Sequence, residues 1–190
     1  MQGKLILVIG PTGSGKGTLL AHIRTRLSGL VFPVSCTTRA MRPGEVSGQT
    51  YYFVSPEEFD TRIAAGEFLE WAEYGHNRYG TLKSEILPAI AEGKTVIREI
   101  EVQGARQIQE ILPAKDLRII YIDAGSWDEL ERRIRARAPM AQPEIEARRR
   151  RYEDETSFKG QATAVIENRE GGLEQAKLDF EAAVRSMMEE

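Results

Sequence analysis

A glycine-rich loop between an apolar run and a helix-like segment constrains this chain more than any other feature. The apolar run covers residues 5–9, and the helix-like segment begins at Leu19. Between them stand Gly10, Pro11, Thr12, Gly13, Ser14, Gly15, Lys16, Gly17 and Thr18. Such a loop turns backbone N–H groups inward, and the next helix N-terminus adds partial positive charge. The pattern predicts a strand, a loop and a helix around a polyphosphate, with Lys16 on its terminal phosphates.

The residue after the loop lysine departs from the usual form of this motif. A Ser or Thr normally follows the lysine and ligates magnesium, whereas here Gly17 stands there and Thr18 comes one position later. Two arrangements stay open for the expected Mg²⁺ cofactor. Either the Thr18 hydroxyl reaches the ion, or water and phosphate oxygens hold it, since Mg²⁺ gives up its water reluctantly.

The overall charge argues against a large anionic partner. The 190 residues include 26 basic and 29 acidic ones, which leaves a net charge of −3. We therefore expect binding neither to nucleic acid nor to a membrane surface. The N-terminal apolar run is too short for a signal core or a membrane span. A single cysteine, Cys36, excludes an internal disulfide and is typical of a reducing compartment, so we expect a cytoplasmic protein.

Apolar β-rich runs alternate with longer helical patterns along the chain. This rhythm is typical of a parallel sheet with helices on both faces. The predicted strands are residues 5–9, 31–34, 95–100, 118–122 and 163–166. The predicted helices are residues 17–27, 56–65, 83–91, 102–111, 127–136, 143–155 and 173–188. Two segments interrupt the rhythm: residues 35–79 predict a small, mostly antiparallel flap, and the break at residues 137–143 predicts a mobile lid.

Two arginines three residues apart suggest a second phosphate site. Arg39 and Arg42 precede Tyr51, and the fork of a guanidinium matches phosphate oxygens in pairs. Taken alone, the alternative that both arginines are merely solvated stays open.

Several motifs together resemble the guanylate kinases, which transfer a phosphoryl group from ATP to GMP. Besides the glycine loop, they are Ser-x-Thr-Thr-Arg-x-x-Arg-Pro-Gly-Glu at 35–45, Gly-Glu-Phe-Leu-Glu-Trp-Ala at 66–72, Tyr-Gly-Thr at 79–81 and Val-Gln-Gly-Ala at 102–105. They occur in the family's order over most of the chain. The resemblance implies one P-loop domain over residues 1–190, a three-layer α/β/α fold with a central parallel sheet. Its parts would be a core (1–34, 82–130, 157–190), a GMP-binding flap (35–81) and an arginine-rich lid (131–156).

The resemblance also implies roles for individual residues. The residues expected to bind ATP are the loop residues 10–18 and Asn168, which would lie near the adenine although Arg169 replaces the usual acidic residue after it. The residues expected to hold the GMP phosphate are Arg39, Arg42, Tyr51 and Tyr79, and those expected to read guanine are Ser35, Glu70 and Thr81. The residues expected to act in catalysis are Lys16, Arg39, Arg42 and the lid arginines Arg137 and Arg148. Eight arginines against two glutamates in residues 132–151 form a local positive field.

The chemistry of guanine agrees with the role that the resemblance implies for Glu70. A carboxylate accepts two hydrogen bonds from the N1–H and the amino group of guanine, and hydroxyls donate to O6. Adenine offers neither this donor pair nor this acceptor, so a buried Glu70 would be left unpaired against AMP.

A pair of acidic residues stands at the end of the third predicted strand. Where the family commonly has an acidic residue and then an aspartate, this chain has Glu99 and Glu101. Strand alternation would place both on one face beside the loop, as expected for contacts near magnesium and GMP. The longer Glu101 keeps the charge and moves it by about one methylene.

The expected reaction is reversible transfer from Mg·ATP to GMP, and to dGMP, giving ADP and GDP. Two alternatives stay open. One is a non-catalytic guanylate-kinase-like module that binds proteins. The other is a related P-loop kinase with a different phosphate acceptor, such as another nucleotide or a sugar phosphate. Monomer and homo-oligomer are both left open.

Overall fold

A computed structural model describes residues 3–137 and 140–190. The strands are β1 (Lys4–Ile9), β2 (Leu30–Val31), β3 (Ser35–Thr37), β4 (Tyr51–Phe53), β5 (Phe68–Tyr74), β6 (Asn77–Leu82), β7 (Thr95–Glu99), β8 (Leu117–Asp123) and β9 (Ala164–Glu167). The helices are α1 (Lys16–Arg26), α2 (Pro56–Ala64), α3 (Lys83–Ala91), α4 (Val102–Ile111), α5 (Trp127–Arg137), α6 (Gln142–Ser157) and α7 (Leu173–Glu189). Short 3-10 helices cover Ala114–Asp116 and Phe158–Gln161.

Five strands form a central parallel sheet in the order β2-β7-β1-β8-β9. Every residue of β1 is buried, as expected for a strand covered on both faces. The predicted α/β class with a parallel central sheet is confirmed. Among the described residues, no helix combines the length and the apolar character that crossing a membrane would need.

Four strands form a second sheet in the order β4-β3-β6-β5. The pairs β3–β6 and β5–β6 are antiparallel, which confirms the predicted mostly antiparallel segment, and β3 also pairs with β4 in parallel. The register of β5 against β6 shifts between Phe68 and Glu70. Such an irregularity locally re-aims side chains.

One face of the second sheet is buried against α2. Ser55 caps this helix by accepting a hydrogen bond from the Glu58 backbone N–H, and proline occupies the first turn. The helix buries Phe59, whose ring stacks on Phe68 at 4.4 Å between centroids. A Cβ on Gly80 would lie 2.6 Å from the Phe68 ring, so only glycine lets this ring cross β6. The opposite face of the sheet is not covered by α2.

Some predicted boundaries differ from the observed ones. The strand predicted at residues 31–34 is shorter, because Pro33 has no N–H to donate and the Val34 N–H donates to the Glu85 carboxylate at 3.1 Å. The strand predicted at residues 95–100 ends at Glu99. The alternation argument therefore does not apply to Glu101, which lies after the strand and one residue before α4.

The chain divides into two compact units. The first unit contains Val31–Ile97, Gln103–Leu117 and the described residues up to Leu5, and so includes the whole second sheet. The second unit contains Ile6–Leu30, Arg98–Val102 and the described part of Arg118–Glu190. The finer division into core, flap and lid stays a prediction.

In the second unit, α5 and α6 pack on each other through a small apolar cluster. Trp127, Leu130 and Ile134 of α5 meet Ile145 of α6, and Tyr152 packs against the same cluster. Because these apolar side chains face inward, the packing determines which faces of α5 and α6 carry their arginine side chains.

Candidate functional site

The glycine loop of the second unit is closed by a buried asparagine. Gly15 has a φ of +95° and immediately precedes α1, a conformation that glycine adopts at little cost. A Cβ at this position would lie 2.4 Å from Asn168 Nδ2. That amide donates to the Ser14 carbonyl at 2.7 Å. Glycine is therefore required twice over, for the backbone angle and for the approach of Asn168.

The loop lysine is buried and held in place. Lys16 is 5% exposed, and its Nζ donates to the carbonyls of Gly10 at 2.5 Å and Pro11 at 3.3 Å. Glu99 Oε1 lies 3.5 Å from the same nitrogen. The loop thus carries a fixed positive charge beside an acidic side chain.

A cavity of about 270 Å³ opens next to this loop in the second unit. Its lining residues are Gly15, Thr18, Arg133, Asn168, Arg169, Glu170, Gly171 and Leu173. Arg133 Nη1 donates to the Asn168 carbonyl at 2.7 Å, and its Nη2 is buried without a hydrogen-bond partner among the described residues. The predicted adenine residue Asn168 therefore does line a cavity beside the loop.

A carboxyl pair lies near Lys16. Glu155 of α6 is buried, and its side chain hydrogen-bonds that of Glu101. Burial first, and then the Glu101 charge, raise the pKa of Glu155 well above the ordinary carboxyl range, while Lys16 opposes the shift. The Glu155 carboxyl therefore holds its proton to a higher pH than an ordinary carboxyl does.

The two predicted lid arginines lie on different helices. Arg148 of α6 is largely buried and pairs with Glu144 at 3.0 Å, and its Nε has no hydrogen-bond partner in the described part of the chain. Arg137 is the last residue of α5, and its side chain lies outside the described part.

The side chains near the loop fit a hydrated magnesium ion better than a fully caged one. No group of three or more His, Cys, Asp or Glu residues suited to a metal exists among the described residues. Two side-chain oxygen donors at the loop are the Thr18 hydroxyl, which lines the cavity, and the Glu99 carboxylate, which lies 3.9 Å from the position of a Cβ on Gly17. Such a donor set suits Mg²⁺, which keeps most of its ligands as water and phosphate.

In the first unit, four predicted side chains form a row across the second sheet. Ser35 pairs with Tyr51 on one side and with Thr81 on the other, and Thr81 in turn pairs with Glu70. Directly paired residues project from the same face of a sheet. The strands thus bring together residues that lie far apart in sequence.

The acidic end of this row is buried and oriented. Glu70 is 5% exposed and Thr81 is fully buried. The Thr81 hydroxyl donates to Glu70 Oε1 through a short hydrogen bond. Since this proton is directed at Glu70, Thr81 orients the carboxylate, and Ser35 places a second hydroxyl on the same face of the sheet.

The predicted phosphate residues cluster at the other end of the row. The Tyr51 ring lies 6.0 Å from the Tyr79 ring and 5.4 Å from the Arg39 guanidinium. Arg42 is exposed, and its backbone N–H donates to Glu45 Oε2 at 2.7 Å. The first unit thus groups all the predicted GMP-binding residues except Glu99 and Glu101, which the second unit holds near Lys16.

A protein-family model described as guanylate kinase matches residues 2–186. The chain belongs to the guanylate kinase family. A guanylate kinase from Thermosynechococcus vestitus is 45% identical over 184 residues, covering 97% of this chain and 94% of the relative. One from Nocardia farcinica is 45% identical over 150 residues, covering 78% and 76%. The crystal structure of guanylate kinase from Anaplasma phagocytophilum superposes with a TM-score of 0.75 at 27% identity, covering 100% of this chain and 88% of that one.

For this guanylate kinase family member, sequence reasoning missed two residues near the loop. Arg133 is one of eight arginines in its region, and nothing in the sequence singles it out. Glu155 had a usable signal, because Ile145, Tyr152 and Glu155 follow helical spacing and so share the inward stripe of α6. A charged residue on an apolar stripe indicates a buried interaction.

Proposed function

We propose that this chain is a guanylate kinase that reversibly transfers the γ-phosphoryl group of Mg·ATP to GMP, and to dGMP, giving ADP and GDP. Family membership supports the reaction class. The observation that carries the assignment is the row on the second sheet that ends in the buried carboxylate of Glu70, beside Thr81. That row has the donors and acceptors that guanine requires and adenine lacks.

In this proposal, Glu70 accepts hydrogen bonds from the N1–H and amino groups of guanine, while Ser35 donates to O6. Thr81 keeps the carboxylate oriented through its own hydrogen bond. AMP lacks the N1–H and amino donors that guanine offers to this buried carboxylate, and each hydrogen bond left unmade costs about 1–3 kcal/mol. Discrimination between purines therefore follows from the chemistry of one side chain and its neighbours.

The acceptor phosphate is proposed to bind among Arg39, Arg42, Tyr51 and Tyr79. The ring and guanidinium distances around Tyr51 support this placement. Both arginines match phosphate oxygens geometrically, and both tyrosines add hydroxyl donors. Glu99 and Glu101 are proposed to contact the nucleotide from the second unit.

The ATP phosphates are proposed to bind residues 10–18, with Lys16 on the β- and γ-phosphates. The adenine would occupy the cavity that Asn168 and Arg133 line. Thr18 and Glu99 are the residues that would hold Mg²⁺, directly or through water. When bound, the ion supplies charge that neutralises the phosphate oxygens.

The reaction needs no general base. The second pKa of a phosphate monoester is near 6, so the acceptor oxygen is already anionic at neutral pH. The difficulty is bringing two anionic phosphates together in line. Fixed positive charge offsets their mutual repulsion. Lys16, Arg39 and Arg42 supply part of that charge, and the predicted lid arginines Arg137 and Arg148 supply the rest. We also propose that flap and lid close to exclude water when both nucleotides are bound.

The setting is proposed to be the cytoplasm, where a free buried thiol such as Cys36 stays reduced. The partners are small nucleotides.

One coupled assay tests the proposal. ADP formation is measured with GMP, dGMP, AMP, CMP and UMP offered separately, with Mg²⁺ or Mn²⁺, and with no acceptor. We expect turnover with GMP and dGMP, little with the other three, and negligible ATP consumption without an acceptor. Equal activity on AMP would refute the role of Glu70. GMP binding without turnover would support the protein-binding alternative.

A further inference from the structure

Glu45 belongs to the motif at residues 35–45 but has no part in the reaction described above. It ends the tetrapeptide Arg42-Pro43-Gly44-Glu45, in which Gly44 has a φ of +86° and the Glu45 N–H donates to the Arg42 carbonyl at 3.1 Å. Proline second and a left-handed glycine third are the features of a type II β-turn. The turn brings the Glu45 side chain back onto the residues that precede it.

The Glu45 carboxylate binds both predicted phosphate arginines. Oε1 accepts from Arg39 Nη2 at 2.7 Å, and Oε2 accepts from Arg39 Nη1 at 3.0 Å. Oε2 also accepts from the backbone N–H of Arg42 at 2.7 Å. The two side chains are mostly buried, at 13% exposure for Arg39 and 18% for Glu45. These bonds lower the pKa of Glu45 and raise that of Arg39.

These contacts set the orientation of the Arg39 guanidinium. Its centre lies 5.4 Å from the Tyr51 ring centroid and 5.5 Å from that of Phe53, and Nη1 also donates to the Ala40 carbonyl at 2.7 Å. The bidentate pair with Glu45 uses the Nη1–Nη2 edge. The Arg39 side chain also hydrogen-bonds that of Tyr79. The Nε–Nη2 edge of the planar fork is the edge that the bidentate pair with Glu45 does not use.

We propose that Glu45 is a positioning residue for the acceptor phosphate. It orients Arg39 so that the Nε–Nη2 edge can pair with two phosphate oxygens, and it holds the Arg42 backbone in the same turn. The inference rests on the proposed function, because it takes Arg39 and Arg42 to bind the GMP phosphate. Simple electrostatics predicts the opposite effect for the loss of Glu45, since removing a negative charge near an anion site should tighten anion binding.

The test is Glu45→Gln in the full chain, assayed by ADP formation. We expect the KM for GMP to rise about tenfold, with kcat reduced by less and the KM for ATP unchanged. Guanosine, which lacks the phosphate, should inhibit the variant and the unmodified chain with equal inhibition constants. Glu45→Asp, which keeps the charge on a shorter side chain, should give an intermediate KM. The matched control is Glu58→Gln, which removes the carboxylate paired with Arg62 at 2.9 Å in the same unit.

Three outcomes would overturn parts of this account, and they are distinguishable. A KM for GMP that is unchanged or lower in Glu45→Gln would overturn the inference alone, as would a guanosine inhibition constant that rises in parallel with that KM. Absence of GMP-dependent ADP formation by the unmodified chain would overturn the proposed function and the inference with it.

Discussion

The loop at residues 10–18 and the polar face of the second sheet are built in opposite ways. The loop is one contiguous stretch whose binding groups are backbone N–H groups and the Lys16 ammonium. The sheet face takes Tyr51, Ser35, Thr81 and Glu70 from four different strands, so only folding brings them together. A backbone cradle binds any polyphosphate whatever its base, whereas a row of side chains can read one base. The comparison predicts that base selection and phosphate binding can be damaged separately.

The largest separate effect is expected for Glu70→Gln. The glutamine carbonyl can still accept from Thr81, which preserves the sheet, but its amide group would face the donors of guanine. We expect kcat/KM for GMP to fall about a hundredfold while the KM for ATP stays constant. Steady-state kinetics with each nucleotide varied in turn measures both quantities.

The matched control for Glu70→Gln is Glu73→Gln, an exposed carboxylate on the same strand. It should leave both nucleotides unaffected. An unchanged rate on GMP in Glu70→Gln would show that this carboxylate does not contribute to binding or turnover of GMP. The proposed contrast between the loop and the sheet face would then be wrong.

Gly15→Ala should damage the loop and spare the sheet face. The substitution puts a Cβ 2.4 Å from Asn168 Nδ2 at a φ of +95°, so both the backbone and the asparagine must shift. We expect the KM for ATP to rise about tenfold with the KM for GMP unchanged, and the free energy of unfolding to fall by about 1–3 kcal/mol. Kinetics and urea unfolding measure the two effects.

Gly66→Ala separates backbone strain from steric clash. Gly66 also has a positive φ, of +66°, but a Cβ there would meet nothing within 4 Å. It should lose only about 1 kcal/mol of stability, the cost of the backbone conformation. An equal loss in both variants would mean that the contact between Gly15 and Asn168 contributes nothing.

A further prediction concerns the carboxyl pair near Lys16. Because the pKa of Glu155 is raised in the folded state, the native chain binds more protons than the unfolded chain above the ordinary carboxyl pKa. Stability should therefore fall as the pH rises from about 5 towards 8. Glu155→Gln removes this titration, so the stability of the unmodified chain relative to the variant should decline by about 1 kcal/mol or more over that range.

Thermal unfolding of both proteins at several pH values measures this decline. The charged groups that face Glu155 are Glu101, Lys16 and Arg151, and the variant leaves all three in place. Parallel pH profiles for the two proteins would contradict the raised pKa of Glu155.

Local patterns predicted the elements and the loop well. The apolar run at residues 5–9 became the buried strand β1, and Gly15 and Lys16 took the expected places because strand, loop and helix are contiguous. On the sheet face, Ser35, Glu70 and Thr81 could be named only through the family resemblance. No local periodicity indicates that Ser35 would pair with Thr81.

Interactions that depend on packing between distant elements lay beyond sequence reasoning. Glu155 comes near Lys16 only because α6 packs as it does. The alternation argument failed for Glu101 because β7 ends at Glu99, one residue before the predicted end of that strand, and strand ends are set by pairing partners rather than by alternation. Glu45 stood in a recognised motif, yet its contacts with Arg39 follow from a turn geometry that the motif alone does not express.

The most direct test of base selection is a crystal structure of the chain with GMP bound. The account predicts that the N1–H and amino groups of guanine lie within hydrogen-bond distance, about 3 Å, of the Glu70 carboxylate, with the phosphate against Arg39. A purine bound away from Glu70 would contradict the account, even if the phosphate still met the arginines.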